Sequence, residues 1–300
     1  MNVRVPATSA NLGPGFDVLG LALPLYNDLH LSHAEREHVV HTGPWASALS
    51  VESDHLSLQA ARRVAALVGR ALPPMRWDVT VRIPPARGLG SSSAAIVGGL
   101  VAANLLFDTP LSTSQLLMLA TDMEGHPDNV APALHGGVTA AFKDGADTWC
   151  LPLATAVPGS LVVAIPDFSL STAEARQVLP VSVDRQAAIA NLAAVTALTS
   201  VILTGNVSWW GRALKDQLHQ PYRLPLIPGG TEVLEAAREA GAWGAVISGA
   251  GPTLLAVCPP DRAATIAAAM RDTWRPHGNV ITHTFNQLAA GAAPCEPSRG

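Results

Sequence analysis

The chain has few cysteines, few charged residues and no apolar run as long as a typical membrane span. Its cysteines, Cys150, Cys258 and Cys295, are odd in number and far apart, which excludes a disulfide framework or a zinc ribbon. Residues 1–6 show no signal-peptide pattern. Charged residues make up 14% of the chain and the net charge is −4, which argues against a general nucleic-acid-binding protein. These shortages favour a cytoplasmic protein that binds neither nucleic acid nor membrane, with a length that suits one or two domains.

A glycine-rich stretch at residues 84–94 separates a predicted strand, residues 77–83, from a predicted helix, residues 94–107. Gly88 and Gly90 allow the backbone to approach a ligand closely, and the free N–H groups at a helix start suit a phosphate. The three serines that follow could cap the helix, hold phosphate oxygens or ligate Mg²⁺. The stretch matches neither a Walker loop nor a dinucleotide fingerprint. A serine-capped helix after a tight turn therefore remains an alternative to a phosphate site.

Two further loops concentrate polar side chains between apolar segments. Residues 6–17 bring Asn11 and Asp17 between two predicted strands, and an ordinary turn is the alternative because Asn and Pro-Gly are common turn residues. Residues 124–132 contain four groups capable of acid, base or ligand chemistry, with a solvated surface loop as the alternative. Because the second loop leads straight back into apolar sequence, we expect its polar groups to line a cleft.

The second half of the chain predicts a separate domain beginning near residues 154–160. Its predicted elements run strand, helices, strand, strand, helix and strand, a ferredoxin-like order with additional helices. Arg176 lies in a helix that begins with a capping box at Ser171, and Arg223 lies in a loop. Arg176 could be an exposed helix residue or a clamp for a carboxylate.

Three features outside these loops have simpler interpretations. Four histidines, His30, His33, His38 and His41, form two His-x-x-His pairs, which we assign to the surface rather than to a metal site. Trp209 and Trp210 are predicted to lie in the core. Residues 289–300 are rich in small residues and proline and are predicted to be a disordered tail.

Taken together, five stretches resemble the GHMP small-molecule kinases. Residues 84–94 resemble the family's phosphate loop, and residues 248–253 resemble its third, glycine-rich motif. The other stretches are residues 6–17, 124–132 and 219–223. The last three are similar to the branch of that family that acts on L-homoserine, and the likeness covers nearly the whole chain except the tail. The resemblance implies a two-domain α+β fold with the site between the domains. An N-terminal ribosomal-protein-like α/β domain would span residues 1–156, and a C-terminal ferredoxin-like domain residues 157–288. It also implies ATP-dependent phosphorylation of the homoserine side-chain hydroxyl in threonine biosynthesis, a requirement for Mg²⁺, and a homodimer.

The resemblance also assigns roles to residues of this sequence. The residues implied to bind the ATP phosphates are Pro84, Pro85, Ala86, Arg87, Gly88, Leu89, Gly90, Ser91, Ser92, Ser93 and Ala94. The implied Mg²⁺ ligands are Ser92 and Glu124, although some relatives space this acid further from the Asp128-Asn129 pair. The implied substrate-binding residues are Asn11, Asp17, His126, Asp128, Asn129, Arg176, Arg223 and Gly249. The implied catalytic residues are Asp128, Asn129 and Arg176, with Thr172 assisting at the γ-phosphate.

These assignments fit the chemistry of a zwitterionic acceptor. Asp17 would face the ammonium group of homoserine, while Arg176 and Arg223 would face its carboxylate as bidentate forks. Transfer would be direct and in line, and it would depend mostly on positioning and charge neutralisation. The homoserine branch of the family has no agreed strong base, Asp128 is the only obvious candidate here, and Asn129 cannot take the proton. We therefore hypothesise that Asp128 and Asn129 position the hydroxyl and that its proton leaves late.

Three other functions remain open on the sequence. The chain could phosphorylate another small alcohol, such as mevalonate or shikimate, although those acceptors have no ammonium group for Asp17. It could be a binding protein that kept the fold without catalysis, although its phosphate and Mg²⁺ positions all match the family. A hydrolase that uses a serine with His126 and Asp128 is disfavoured, because the Gly-x-Ser-x-Gly elbow is missing and one residue separates the pair.

Overall fold

A computed structural model describes residues 1–49, 55–145 and 147–296. The strands are β1 (Asn2–Ala10), β2 (Leu19–His33), β3 (His38–Thr42), β4 (Met75–Thr80), β5 (Val138–Asp144), β6 (Asp147–Ala154), β7 (Ser160–Pro166), β8 (Gly244–Ile247), β9 (Leu254–Cys258), β10 (Val280–Phe285) and β11 (Ala293–Pro294). The α-helices are α1 (Leu56–Leu67), α2 (Ser91–Leu106), α3 (Thr113–Glu124), α4 (Pro127–His135), α5 (Thr172–Gln177), α6 (Arg185–Thr204), α7 (Trp210–Ala213), α8 (Gln220–Arg223), α9 (Gly230–Glu239) and α10 (Ala263–Trp274).

The first sheet contains β1 to β6 and β11. β1 pairs antiparallel with β2, β2 pairs with β4 and β5, and β3 runs parallel to β4 at the edge. Helix α2 packs against β1 and is buried on most sides, as its almost wholly apolar sequence predicts. It begins at Ser91 rather than Ala94, so the three serines lie inside its first turn. The sheet therefore presents the start of α2 beside the end of β1.

The second sheet has the order β10-β7-β9-β8, with every neighbouring pair antiparallel. Helices α9 and α10 pack against each other, and α10 also contacts β7 and β10. Every residue of β7 is buried, which explains its unbroken apolar sequence. The predicted ferredoxin-like order of the second half is confirmed. The chain passes from the first sheet to the second between Ala154 and Ser160, and the predicted domain limits remain a prediction.

Two predictions outside the site are wrong in part. Trp210 is 3% exposed and belongs to the core, but Trp209 is 44% exposed and lies beneath the guanidinium of Arg212. Of the four histidines assigned to the surface, His41 is half-buried and its ring packs against His55 with centroids 4.8 Å apart. Neither change creates a metal site, since the described residues contain no group of three or more His, Cys, Asp or Glu side chains suited to one.

The C-terminal segment forms a strap on the first sheet instead of a free tail. Ala289 is 4% exposed, and its backbone bonds to Ala22 and Gly137. β11 then pairs with β1 through Val3 and Arg4. The prediction of disorder is therefore wrong for residues 289–296, because backbone hydrogen bonds hold small residues that offer little side-chain burial. The remaining predicted tail, residues 297–300, lies outside the described residues.

Helix α6 is long and apolar enough to cross a membrane by length and composition alone, the one such helix among the described residues. A helix inside a domain can pass the same test. One side of α6 packs on the protein through residues that include Ala194, Leu198 and Val201, whereas Ile189 and Leu192 on the other side are more than half exposed.

Candidate active site

A cavity of ≈ 470 Å³ lies between the two sheets and receives most of the predicted site residues. Those that line it are Asn11, Asp17, Pro85, Ala86, Arg87, Gly88, Leu89, Gly90, Ser91, Ser92, Glu124, His126, Asp128, Asn129, Thr172, Arg176, Arg223 and Gly249. Pro84, Ser93 and Ala94 were predicted in the phosphate loop but do not line the cavity. The cavity therefore brings together loops that are far apart in sequence. The Asn11 amide, for example, donates to the carbonyl of Gly249, 238 residues away, at 2.8 Å.

The phosphate loop ends at a glycine cap rather than a serine cap. Gly90 is the N-cap of α2 with φ +66°, and no side chain caps this helix start. A Cβ at Gly90 would lie 2.0 Å from the Thr8 hydroxyl oxygen, so only glycine fits there. The alternative of a serine-capped helix is therefore wrong. The N–H groups of the first turn, which have no partner within the helix, remain available to an anion at the cavity wall.

Arg87 supports this loop with a guanidinium that bonds to the protein's own backbone. It donates to the carbonyls of Pro85 at 2.9 Å, Pro166 at 3.2 Å and Asp167 at 2.6 Å. Its guanidinium carbon also lies 4.6 Å from the centroid of the Trp45 ring. Burial lowers the pKa of Arg87 from its usual value. The side chain therefore ties the phosphate loop to the end of β7 in the second sheet.

Ser92 and Ser93 in the first turn of α2 hold the carboxylate that ends α3. Their hydroxyls donate to the same oxygen of Glu124, at 2.7 and 2.8 Å. Gly125 then ends α3 with φ +94°. The short spacing between Glu124 and Asp128 thus does not keep the acid away from the serines. One hydroxyl and one carboxylate, facing a helix start suited to phosphate, fit Mg²⁺, which takes few protein ligands beside phosphate oxygens and water.

Asp17 and Arg176, predicted to face opposite charges of a substrate, face each other. The two guanidinium nitrogens of Arg176 donate to the two carboxylate oxygens of Asp17, at 2.8 and 3.1 Å. The hydrogen bonds that Arg176 donates to Asp17 raise the pKa of Arg176. Phe16 lies near both Arg176 and Arg223. Its ring centroid is 5.8 Å from the guanidinium carbon of Arg176 and 5.3 Å from that of Arg223. Sequence reasoning missed Phe16, although it stands next to Asp17 in the same stretch.

Arg223 is the most deeply buried cation of the cavity, at 2% exposure. It donates to the carbonyls of Ala175 at 3.0 Å and Gly249 at 3.2 Å. Burial, and then the neighbouring Arg176 charge, lower its pKa to about 10. Burial and the Arg176 charge both disfavour the positive charge of Arg223, and a neighbouring anion would stabilise that charge. The site is therefore electrostatically suited to a carboxylate.

His219 also positions Arg223 and was not among the predicted site residues. Its Nε2 lies 2.9 Å from the Gly13 carbonyl, and its Nδ1 lies 3.3 Å from a guanidinium nitrogen of Arg223. Burial lowers the pKa of His219, which favours a neutral ring that donates to Gly13 and accepts from Arg223. The signal was present in the sequence, because His219 begins one of the five stretches.

His126 and Asp128 form a short pair at the start of α4, with Nδ1 and the carboxylate oxygen 2.5 Å apart. Burial lowers the pKa of His126, but the hydrogen bond and charge of Asp128 outweigh it and raise the pKa overall. Asn129 follows, and its amide oxygen accepts from the hydroxyl of Thr8 at 2.7 Å. Thr8 is a second residue that sequence reasoning missed, although it lies within residues 6–17.

The end of the cavity beyond the phosphate loop has mainly apolar walls. Leu49, Leu56, Val79 and Val81 are among the residues that line it, together with His55. Burial, and then the neighbouring His41, lower the pKa of His55 to about 4, so its ring is neutral at pH 7. An apolar slot next to a phosphate loop is suited to a nucleotide base.

The glycine-rich stretch at residues 248–253 joins the two sheets at the cavity. The Ser248 hydroxyl donates to the Gly88 carbonyl at 2.7 Å and lies 2.8 Å from the Ser9 hydroxyl. The Gly249 N–H donates to the Ala10 carbonyl at 3.1 Å. A single hydroxyl thus connects β1, the phosphate loop and the second sheet.

Comparison with known families identifies the family and the fold of the chain. Residues 55–137 match the model of the GHMP kinases N terminal domain, and residues 194–276 match that of the GHMP kinases C terminal domain. A crystal structure of homoserine kinase from Cytophaga hutchinsonii superposes with a TM-score of 0.87 at 28% identity, covering 98% of this chain and 96% of that one. The fold and the two matched domains define a GHMP-type small-molecule kinase, and the two-domain α+β prediction is confirmed.

Curated relatives narrow the class further. The chain is 48% identical to the homoserine kinase of Synechococcus sp. over 299 residues, covering 99% of this chain and 98% of that protein. It is 47% identical to the homoserine kinase of Moorella thermoacetica over 256 residues, covering 85% and 86%. The chain therefore belongs to the homoserine kinase family.

Proposed function

We propose that this chain transfers the γ-phosphoryl group of ATP to the side-chain hydroxyl of L-homoserine, giving ADP and O-phospho-L-homoserine for threonine biosynthesis. One observation carries the proposal: a single cavity joins a glycine-rich helix start to a carboxylate and two arginines. The helix start suits the phosphates of a nucleotide. The carboxylate and the arginines suit the ammonium and carboxylate groups of an amino acid.

The nucleotide would lie along the wall that the first sheet provides. Backbone N–H groups between Gly88 and Ser92 would hold its phosphates, and its base would occupy the apolar slot near Leu49 and Leu56. Ser92 and Glu124 would hold Mg²⁺, and Ser93 would keep the Glu124 carboxylate oriented. Mg²⁺ bound there would neutralise charge on the phosphate oxygens during transfer.

The charged groups of the amino acid would replace the ion pair between Asp17 and Arg176 with two new ion pairs. In the free chain each of these groups satisfies the other. A zwitterion could offer its ammonium group to Asp17 and its carboxylate to Arg176 and Arg223, so that both charges keep a partner. Asn11, His126 and Gly249 would complete the pocket around it. Asp17 thereby discriminates against acceptors that have a carboxylate and no ammonium group.

Asp128 and Asn129 would hold the acceptor hydroxyl in line with the phosphorus atom. Asp128 is already engaged with His126, which supports a positioning role over that of a free strong base. Thr172 begins α5 and Arg176 lies in its last turn, and both would contact the transferring group from the cavity wall. Phosphoryl transfer of this kind depends mainly on alignment and charge neutralisation, so the proton can leave late.

The test is ADP release with ATP and Mg²⁺ in the presence of L-homoserine, mevalonate, shikimate or no acceptor. We expect release that depends on L-homoserine. Arg223→Ala should lose it at low homoserine and recover part of it at high homoserine, while Arg212→Ala, which changes an exposed arginine on α7, should behave as wild type. ADP release with another acceptor alone would support kinase activity but contradict the proposed pocket for a zwitterion. No acceptor-dependent release would indicate a binding protein.

A homodimer and a cytoplasmic location belong to the same proposal. The chain has a mass of 31.1 kDa, so light scattering after gel filtration would separate a monomer from a dimer of twice that mass. The exposed apolar side of α6, with Ile189 and Leu192, is a surface that a second copy could cover. A Leu192→Glu variant that stays dimeric would place the contact elsewhere.

A further inference from the structure

Thr8 connects the phosphate loop to Asn129, a predicted catalytic residue. Its side chain is fully buried near the end of β1. Its backbone N–H donates to the Leu89 carbonyl at 3.1 Å, and its hydroxyl donates to the Asn129 amide oxygen at 2.7 Å. The close approach at Gly90, where a Cβ would lie 2.0 Å from the Thr8 hydroxyl, shows how tightly the loop surrounds this contact.

The hydrogen bond from Thr8 decides which end of the Asn129 amide faces the cavity. An amide side chain has an acceptor at one end and two donors at the other. With its oxygen bonded to Thr8, Asn129 has its two N–H groups left, and no hydrogen bond from them is found among the described residues. Asn129 lines the cavity and is only half-buried, so these donors are available to a ligand.

The polarity of this amide matters for phosphoryl transfer. Oxygens of a transferring phosphoryl group carry negative charge, which N–H donors stabilise and an amide oxygen repels. Without a donor at position 8, the Asn129 oxygen would lose its partner, and the amide could turn and present that oxygen to the cavity. A buried amide oxygen left without a donor is costly, which favours that rotation.

We propose that Thr8 is a positioning residue, whose hydroxyl holds the Asn129 amide so that its N–H groups point at the oxygens of the reacting groups. The proposal rests on the kinase function proposed above and adds a residue that acts through Asn129. It does not depend on which alcohol is the acceptor. If wild type were to use another acceptor than L-homoserine, the same variants would be compared with that acceptor, so the two proposals fail separately.

The first experiment compares Thr8→Val, Thr8→Ser and Thr121→Val with wild type. We expect Thr8→Val to lower kcat by about tenfold to a hundredfold, less than the 10²–10³ that a lost donor costs, with KM for ATP near the wild-type value. Thr8→Ser keeps the hydroxyl and should restore most of kcat. Thr121→Val is the matched control, because Thr121 is equally buried and its hydroxyl has no hydrogen-bond partner among the described residues.

A purely structural role of Thr8 would give a different pattern. It would raise KM for ATP and lower the melting temperature together with kcat, and Thr8→Ser would not restore activity. A Thr8→Val variant with wild-type kcat would overturn the proposal outright.

The second experiment tests whether Thr8 acts through Asn129. Thr8→Val is combined with Asn129→Ala, and the residual kcat is compared with that of Asn129→Ala alone. We expect no further loss, because the group that Thr8 orients is already gone. A loss as large as in the wild-type background would show that Thr8 acts elsewhere and would contradict the proposal.

Discussion

At the scale of single residues, the charged groups of the cavity are held by protein partners before a ligand enters. Asp17 has Arg176, Asp128 has His126, and Glu124 accepts from two serines. The partners of Asp128 and Glu124 fix the direction in which each carboxylate presents its charge, whereas the pair of Asp17 and Arg176 holds both groups at the cavity until a zwitterion separates them. This pre-organisation lowers the cost of ordering the site during catalysis.

The pairing of Asp128 with His126 leads to a prediction about its role. We expect Asp128→Asn, at saturating homoserine, to lower kcat by less than the factor of about 10⁴ that a true general base can contribute. The reason is that alignment and charge neutralisation carry most of phosphoryl transfer. The measurement is kcat together with homoserine binding, and Asp272→Asn, at an exposed pair with Arg271, is the control. A larger loss with binding intact would assign Asp128 as the base.

His55 predicts how the stability of the chain depends on pH. Its pKa falls from the usual 6.5 to about 4, mainly because of burial. Between these values the folded chain binds fewer protons than the unfolded chain, so the stability that His55 provides above pH 6.5 is lost as the pH falls towards 4. At pH 5 the loss amounts to about 2 kcal/mol.

The variant His55→Asn should remove this loss. His55 is the N-cap of α1 and accepts from the Ser57 N–H, a role that asparagine also fills well. Urea unfolding at pH 7.5 and pH 5 should show a smaller drop in the free energy of unfolding than in wild type. His33→Asn, at the exposed end of β2, is the control and should keep the wild-type drop. An unchanged drop in His55→Asn would mean that other groups cause the acid sensitivity.

At the scale of elements, the phosphate loop requires glycine at position 90 for two reasons: a left-handed backbone conformation and a close contact with Thr8. Gly69 and Gly90 have almost the same left-handed conformation, with φ +65° and +66°. A Cβ at Gly69 would meet nothing within 4 Å, whereas at Gly90 it would strike the Thr8 hydroxyl. Substitutions at these two glycines therefore separate the free-energy cost of a left-handed residue with a side chain from the cost of the clash with Thr8.

We expect Gly69→Ala to cost about 1–2 kcal/mol of stability, the usual penalty of left-handed backbone, and to leave kinase activity unchanged. Gly90→Ala should cost about 1–3 kcal/mol more through overpacking, and it should also lower kcat because the loop must shift. Urea unfolding and ADP release measure the two effects. Equal stability losses with full activity in Gly90→Ala would show that the contact with Thr8 is unimportant.

Elements whose signals are local could be predicted from the sequence. Alternation of polar and apolar residues indicated the strand before the phosphate loop, although β4 ends at Thr80 rather than at residue 83. The capping box at Ser171 is present, with its hydroxyl accepting from the Glu174 N–H at 3.1 Å. The position of α2 was predicted within three residues, but its cap was not, because a glycine cap leaves no side-chain signal.

At the scale of the whole molecule, contacts between distant parts of the chain could not be predicted from spacing. The pair of Asp17 and Arg176 spans 159 residues, and the hydrogen bond between Thr8 and Asn129 spans 121. The resemblance to a family placed most of these residues in one site, but it gave no partner for any of them. Partners follow from how distant elements pack, α4 on β1 for Thr8 and Asn129 and α5 against the loop after β1 for Asp17 and Arg176, which local sequence does not encode.

The C-terminal strap leaves the second sheet after β10 and returns to the first sheet, so it joins the two ends of the molecule's chain path. Besides the pairing of β11 with β1, four backbone hydrogen bonds tie the strap to the first sheet and to α4: the Ala289 N–H to Ala22, the Gly137 N–H to Ala289, the Ala292 N–H to Ala133 and the Cys295 N–H to Asn2. Removing residues 289–300 should therefore lower the free energy of unfolding by at least about 2–6 kcal/mol, at 0.5–1.5 kcal/mol for each of these four bonds. Removing only residues 297–300 leaves these bonds in place and is the control. Urea midpoints that agree between the two truncations would show that the strap adds nothing to the stability of the first sheet.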